Sequence, residues 1–425
     1  MKVAIFHMGF MYTGGGERVV IEETAALRER GYEVDVFAPA IDEKECFPDL
    51  IGTLKVQGVL PRVNIWLPCR DMLSLLLGSS LAPLLAARFA KYDVFLCHGQ
   101  PSAWLGYCAS RILHKPYLVY IYQPLRLLYP RSIDKETGWK TKRDFAILDQ
   151  LLKPFRPLVA TLDRISVVSA RELFVVSQWI AQAVERVYGL TPTVCYPGTN
   201  FTANGHERYP PPGIMVNGHH LPERYLLTTN RHYPQKCLDY LIEVMYLLKE
   251  RHDVHLLITG DFTNHTPFLR GLVTRAGLEE RVHFLGRVDD RDLQALYRYA
   301  AAYLYTSPNE DLGMGIIESM ASGVPPIAWG YAGPKEIIRH GANGLLAEPY
   351  STQDFAAKVS FLLSDQKLRR RLGENGRKSV RKRFSWKGHV DIISNALEEA
   401  CRAGAEIPPR RLPTAREEHP ATLLE

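Results

Sequence analysis

Short apolar runs alternate along the chain with longer stretches of helical spacing. VAIFHMGF (3–10) and YEVDVFAP (32–39) read as buried strands, and Glu17–Arg30 between them as a helix closed by Gly31. Glycine suits that closing place because it takes the left-handed conformation without a Cβ clash. Further strands are expected at DVFLCH (93–98), PYLVYIY (116–122), RISVVS (164–169) and ELFVVS (172–177). A helix Trp179–Tyr188 ending at Gly189 follows, then TVCYPG (193–198). The rhythm restarts with strands at YLLTTN (225–230), VHLLITG (254–260), VHFLG (282–286), AAYLYTS (301–307), PPIAW (325–329) and GLLAEP (344–349). Leu238–Arg251 and a segment opening at Ile316–Ser322 read as helices, and a closing helical region runs to about residue 403. Strand-length apolar runs separated by helix-length segments mark βα units on parallel sheets, an α/β fold.

A chain of 425 residues is too long for one ordinary core, so two domains are expected. Residues 1–200 form the first, 201–222 a linker rich in Pro, Gly, Asn and His, and 223–385 the second. Residues 386–403 read as a helix returning to the first domain, and 404–425, with four prolines among charges, as a disordered tail. The N-terminus has a basic residue and an apolar run but no small-residue cleavage site, so it reads as a strand, not a signal peptide. Met72–Ala87 is uncharged and leucine-rich, yet shorter than the roughly 20 residues that span a bilayer. A pair of core helices and a membrane-dipping surface are its two readings.

The net charge of +6 favours anionic substrates or a membrane surface and is too small to imply nucleic acid. Seven scattered cysteines without CxxC or Cys/His zinc spacing fit a reducing cytoplasm.

Ligands of open α/β sheets bind at the carboxyl ends of strands, so the residues after each strand carry the chemistry. Thr13-Gly14-Gly15-Gly16-Glu17-Arg18 follows the first strand. Glycines there let backbone approach a ligand, and the helix N-terminus behind them favours an anion; a simple tight turn is the other reading. Asn230-Arg231-His232-Tyr233-Pro234-Gln235-Lys236 places two cations after the first strand of the second domain, suited to a diphosphate, or to no more than a solvated loop. Ser307-Pro308-Asn309-Glu310-Asp311-Leu312-Gly313-Met314-Gly315-Ile316-Ile317-Glu318 sets two glutamates eight residues apart across a strand-to-helix loop. Glu318, early in the helix, suits the two hydroxyls of a ribose. Glu310 can face the other end of such a ligand, and Gly313, Met314 and Gly315 offer backbone N–H groups between them. His98, at a strand end, either positions a sugar or is a satisfied structural histidine.

These motifs together resemble glycosyltransferase family 4, the retaining GT-B transferases with two Rossmann-like domains facing across a cleft. In order they are GGGER (14–18), YPG (196–198), Arg231-x4-Lys236, ITGD (258–261), EDLGMGIIESMASGVPPIA (310–328) and AGPKEII (332–338), and the likeness runs to about residue 390. The resemblance implies that Arg231 and Lys236 clamp the donor diphosphate. Glu310 then lies near the donor sugar and Glu318 binds the ribose. Gly260, Asp261, Gly313, Met314 and Gly315 line the donor, and Gly15 with Gly16 forms the loop beside the diphosphate and acceptor. GGGERVVIEETAALRERGYEVDVFAPAIDEKECF (14–47) is similar to mannosyltransferases that build lipid-linked glycans. YIYQPLRLLY (120–129) resembles their acceptor-side segment, giving Gln123 and Arg126 that role. Gln123 stands where many of these enzymes have His, and an amide cannot take a proton. Asp311 replaces the commoner glycine of their EGFG pattern.

The resemblance implies retention of anomeric configuration with no metal and no other cofactor, Glu310, Lys236, Arg231 and His98 carrying the reaction. Asp289-Asp290-Arg291-Asp292 reads as a helix N-cap and not as a metal motif. The expected donor is GDP-mannose, with a UDP-sugar second, and the expected acceptor a glycan or polyprenyl-type lipid-linked glycan. Lys367–Lys387 holds ten Lys/Arg against one Glu, either a solvated helix face or an anionic-lipid contact on the cytoplasmic membrane face. A nucleotide-sugar epimerase, a phosphorylase and a non-catalytic glycan-binding scaffold are the rival readings.

Overall fold

The computed structural model describes residues 1–59, 77, 81–136, 150, 153–201 and 213–404. Much of Met72–Ala87, much of the expected linker 201–222, and all but the first residue of the expected tail 404–425 lie outside the described residues. The backbone divides into two units, Met1–Gly198 with the chain from Trp386 onward, and Thr199–Ser385.

The first unit is a seven-stranded parallel sheet of β1 (Lys2–His7), β2 (Glu33–Ala38), β3 (Gln57–Gly58), β4 (Val94–His98), β5 (Tyr117–Ile121), β6 (Glu172–Val175) and β7 (Thr193–Val194). Its order is β3-β2-β1-β4-β5-β6-β7. Every residue of β4 and β5 is buried, as a parallel strand covered on both faces requires. The helices are α1 (Gly15–Glu29), α2 (Ala82–Phe89), α3 (Ser102–Leu113), α4 (Ser132–Glu136), α5 (Arg156–Val168) and α6 (Gln178–Tyr188). Gly31 and Gly189 both take positive φ at the ends of α1 and α6, as their place in the sequence predicts.

RISVVS (164–169) is not a strand. Residues 164–168 are the last turns of α5, and the β-branched residues that argue for a strand lie on a helix. Val159, Asp163, Ser166 and Val167 are buried at helical spacing, and Pro157 sits in the first turn, where its missing N–H costs nothing. Packing of that face overrides a local propensity worth about 1 kcal/mol or less per residue.

The second unit is a six-stranded parallel sheet in the order β12-β11-β10-β13-β14-β15, with a small antiparallel pair, β8 (Met215–Val216) and β9 (His219–His220). The main strands are β10 (Tyr225–Thr229), β11 (His255–Thr259), β12 (Val282–Gly286), β13 (Ala302–Tyr305), β14 (Pro326–Trp329) and β15 (Leu345–Ala347). Its helices are α7 (Leu238–Leu248), α8 (Thr266–Ala276), α9 (Asp290–Tyr299), α10 (Met314–Ala321), α11 (Ala332–Ile337), α12 (Thr352–Ser364) and α13 (Gln366–Arg383). Leu226, Leu256 and Ile327 of the sheet bury against Leu241, Met245 and Val359 of the helices. The acidic run before α9 is a cap, since the Asp289 carboxylate accepts from the Asp292 N–H at 2.7 Å.

α14 (Trp386–Ala403) belongs to the first unit and packs on α1. Arg30 pairs with Asp391 at 2.5 Å and donates to the Ser394 hydroxyl at 2.9 Å, while the Tyr32 hydroxyl donates to Glu398 at 2.7 Å.

In the second unit α13 lies on α10, and the approach is close enough to need glycine. A Cβ on Gly373 would collide with the Gly323 carbonyl oxygen, which is backbone and cannot swing away. Gly373→Ala, favourable by helix propensity alone, is therefore expected to destabilise the second unit by about 1–3 kcal/mol, measured by urea unfolding.

Candidate active site

In both sheets the chain builds outward on one side, then returns to add strands on the other. The reversal falls between β1 and β4 in the first unit and between β10 and β13 in the second. Helices leave the two adjoining strands on opposite faces at such a point, so a crevice opens at their carboxyl ends. Lys236 follows β10 and Glu310 follows β13; in the other sheet the glycine-rich turn follows β1 and His98 ends β4.

Lys236 Nζ lies 2.7 Å from Glu310 Oε2, both side chains being about one-fifth exposed. Lys236 ends a 3-10 turn, Pro234–Lys236, held against the end of β13. The Thr306 hydroxyl contacts the carbonyls of Lys236 at 3.2 Å and Cys237 at 3.0 Å. The Ser307 hydroxyl donates to Glu310 Oε2 at 2.9 Å, and Tyr305 adds a further hydrogen bond to that carboxylate. Burial would raise the Glu310 carboxyl, but Lys236, Tyr305 and Ser307 outweigh it and hold it at about 2. Glu310 is thus an anion at any ordinary pH, with the Lys236 ammonium beside it.

Glu318 lies in α10, where the Tyr297 hydroxyl donates to its Oε2 at 2.9 Å. Thr229 bridges Tyr297 and Tyr303 at 3.0 and 2.9 Å, so the carboxylate is braced by β10, α9 and β13 together. Gly313 takes φ +105 at the start of α10. Gly315 passes so near the Tyr303 hydroxyl that a Cβ would strike it. Met314 and Gly315, half-buried, open the helix. Arg231 is half-buried, its guanidinium 5.4 Å from the Tyr233 ring centre. Gly260, at φ +123, leaves no room for a Cβ beside the Asn230 carbonyl, so it is the residue that lets the ends of β10 and β11 approach. Asp261 pairs with Arg287 at 3.1 Å, which commits its carboxylate to the protein.

In the first unit Gly15 is exposed and Gly16 half-buried in the first turn of α1, with Gly14 as an extended N-cap. His98 is fully buried, with Nε2 3.0 Å from Glu23 and Nδ1 2.9 Å from the Tyr122 hydroxyl. Both of its nitrogens therefore have partners inside the unit. Gln123 is half-buried, and its Oε1 is buried with no hydrogen-bond partner among the described residues. Arg126 forms a two-pronged pair with the fully buried Asp134 and serves to fold the loop after β5.

Several residues of these clusters escaped sequence reasoning. Tyr303 and Tyr305 share one face of β13 by the two-residue strand repeat, and Ser307 follows just beyond it, so those three were legible. Tyr297 on α9, Glu23 within α1 and His389 on α14 carry no local signal, because tertiary packing brings them in.

Residues 215–379 match the family described as Glycosyl transferases group 1, and residues 13–202 match Glycosyltransferase Family 4. Human alpha-1,3/1,6-mannosyltransferase ALG2 is 26% identical over 88% of this chain and 90% of its own length. An uncharacterised glycosyltransferase of Methanocaldococcus jannaschii is 32% identical, but over 41% of this chain, and the match spans 46% of that protein. Mannosylfructose-phosphate synthase of Agrobacterium fabrum is 33% identical over 40% of the chain and 38% of its own length. Among solved structures, sucrose-phosphate synthase from Thermosynechococcus elongatus superposes with a TM-score of 0.75 at 20% identity, over 95% of this chain and 100% of that one. HepE from Anabaena, in complex with UDP and glucose, superposes with a TM-score of 0.70 at 19% identity, over 94% and 100%. With the two family matches together taking in most of the chain, and parallel-sheet units that superpose on GT-B enzymes, the protein belongs to the group 1 and family 4 glycosyltransferases.

Proposed function

We propose that the protein moves a hexose from a nucleotide sugar to a glycan or lipid-linked acceptor, with retention of anomeric configuration and without a metal. Mannose from GDP-mannose is the leading donor. The observation that carries this reading is the Lys236–Glu310 pair at the strand reversal of the second sheet, with Arg231 and Glu318 on the same carboxyl edge. A departing nucleoside diphosphate gains negative charge, and Arg231, Lys236 and the backbone N–H groups opening α10 supply fixed positive potential for it. Glu318, braced by Tyr297, suits paired ribose hydroxyls. Glu310 suits the sugar side because its charge is held by Lys236 and does not have to be created when the donor arrives.

Mannose is supported by human ALG2, named a mannosyltransferase and matched along 90% of its length. UDP in HepE, a fold relative, keeps a UDP-sugar as the second donor. In a hydrolysis and transfer assay over a panel of nucleotide sugars, GDP-mannose is expected to be consumed fastest. A UDP-sugar in first place moves the reading to the second donor. Consumption of none overturns it, and conversion of the donor into another nucleotide sugar points to an epimerase.

Lys236→Ala and Glu310→Gln are each expected to lower kcat by about 10²–10³-fold with an unchanged circular dichroism spectrum. Near-normal turnover in either variant removes the pair from the reaction.

No helix among the described residues is long and apolar enough to cross a membrane. In the first unit Leu84 (80% exposed), Phe155 (57%) and Leu158 (68%) stand on or beside α2 and α5, both packed against α3, with Arg88 and Arg156 among them. Exposed leucines beside arginines suit the interface of an anionic bilayer, where a lipid-linked acceptor resides. In the second unit, Lys367, Arg370, Arg371, Lys378, Arg381 and Lys382 of α13 are exposed, a basic face of the kind that anionic lipid attracts in a salt-sensitive way. Flotation with phosphatidylglycerol vesicles should recover the protein at low salt, and Leu84→Asp with Leu158→Asp should abolish recovery. No flotation of the unaltered chain at either low or high salt removes the membrane from the proposal.

A further inference from the structure

At the carboxyl edge of the first sheet runs a buried chain of polar side chains that the donor chemistry above does not use. Glu23 of α1 is fully buried and carries an imidazole on each oxygen. His98 Nε2 lies 3.0 Å from Oε1, and His389 Nε2, from α14, lies 2.8 Å from Oε2. His389 Nδ1 faces the Tyr196 carbonyl at 3.1 Å and the Cys195 sulfur at 3.3 Å. His98 Nδ1 lies 2.9 Å from the Tyr122 hydroxyl, and that hydroxyl lies 3.1 Å from the Gly16 carbonyl oxygen. The Tyr122 ring also fills the space above two glycines, since a Cβ on Gly16 or Gly99 would stand 3.2 or 3.3 Å from it. His389, Glu23, His98 and Tyr122 thus connect α14 to the first turn of the helix that follows the glycine-rich loop.

The protons in this chain can be counted. Both nitrogens of His389 face acceptors, so both carry hydrogen and the ring is an imidazolium. Burial opposes that charge, but Cys195 and Glu23 outweigh it and raise His389 to about 10. Burial likewise opposes the Glu23 anion, and the two imidazoles outweigh it, holding the carboxyl at about 2. The Tyr122 hydroxyl lies between His98 Nδ1 and the Gly16 carbonyl and donates to that carbonyl at 3.1 Å.

The titratable groups around His98 come from every packed element. They are Glu23 from α1, His7 from β1, Tyr120 from β5, Tyr122 beyond β5, and His389 from α14 behind Glu23, with Cys195 and Glu17 one step further out. His7 donates from Nδ1 to the His98 carbonyl at 3.2 Å, and burial with the neighbouring imidazole keeps it down at about 3, so it stays neutral. Tyr120 stacks on the His98 ring at 5.3 Å and gives its own hydrogen to the Cys195 carbonyl.

We propose that Tyr122 is a positioning residue for the glycine-rich turn: its hydroxyl anchors the Gly16 carbonyl while its ring covers Gly16 and Gly99. The proposal rests on the reading that gives this turn to the substrate. Tyr122→Phe keeps the ring above the glycines and deletes the hydroxyl alone. Its KM for the nucleotide sugar should exceed that of the unaltered chain by roughly two- to tenfold with kcat little changed. An equal KM, or a fall in kcat alone, overturns the proposal. Hydrogen exchange of the amides in the first turn of α1 reads the anchor without turnover, and they should exchange faster in Tyr122→Phe than in the unaltered chain. A chain that transfers no sugar yet shows this difference refutes the glycosyl-transfer reading and leaves the anchor standing; transfer without the difference does the reverse.

Discussion

A parallel strand reaches its neighbour through a helix that crosses the sheet, and a chain that adds strands first on one side and then on the other must switch its helices from face to face. The adjoining strands at that reversal, β1 with β4 and β10 with β13, are left with uncovered carboxyl ends. Every residue of chemical interest in either unit depends on this constraint. Lys236 and Glu310 are 74 positions apart in sequence and meet because β10 and β13 are neighbours. Gly16 and Tyr122 are 106 positions apart and meet at the corresponding edge of the other sheet.

Around the second reversal, charge is arranged before any ligand arrives. Glu310 is an anion because a lysine and two hydroxyls face it, not because water does. Thr306 holds the backbone that presents the lysine, so its ammonium needs little further ordering. Glycines at 260 and 315 serve this arrangement sterically. They admit a neighbouring carbonyl or hydroxyl where a methyl group would clash, and their role is the approach of strand to strand and of helix to strand.

The first unit spends its buried polar groups differently. The Glu23–His389 pair costs desolvation that its attraction roughly offsets, so its contribution is less stability than a specific seating of α14 on α1. His98, which had two readings by sequence, is fully buried between Glu23 and Tyr122. Arg126 has also been drawn inward, onto Asp134, so the guanidinium is part of the scaffold of its loop. Gln123 differs from both in keeping a buried oxygen that no described group satisfies.

The sequence by itself determined the βα rhythm, nearly all the main strands and the loops that carry chemistry. Each of these leaves a local trace: apolar runs of strand length, glycines with positive φ at helix ends, and cations or carboxylates directly after strands. Only the tertiary structure decided that residues 164–168 are helical, because β-branched side chains at 165, 167 and 168 fit either period until a packing face selects one. It also decided which polar groups work together. Tyr297 beneath Glu318, and His389 and Glu23 behind His98, are joined by hydrogen bonds across 21 to 366 positions of sequence. A hydrogen bond of about 3 Å depends on how helices seat on a sheet, and no spacing within one segment encodes that distance.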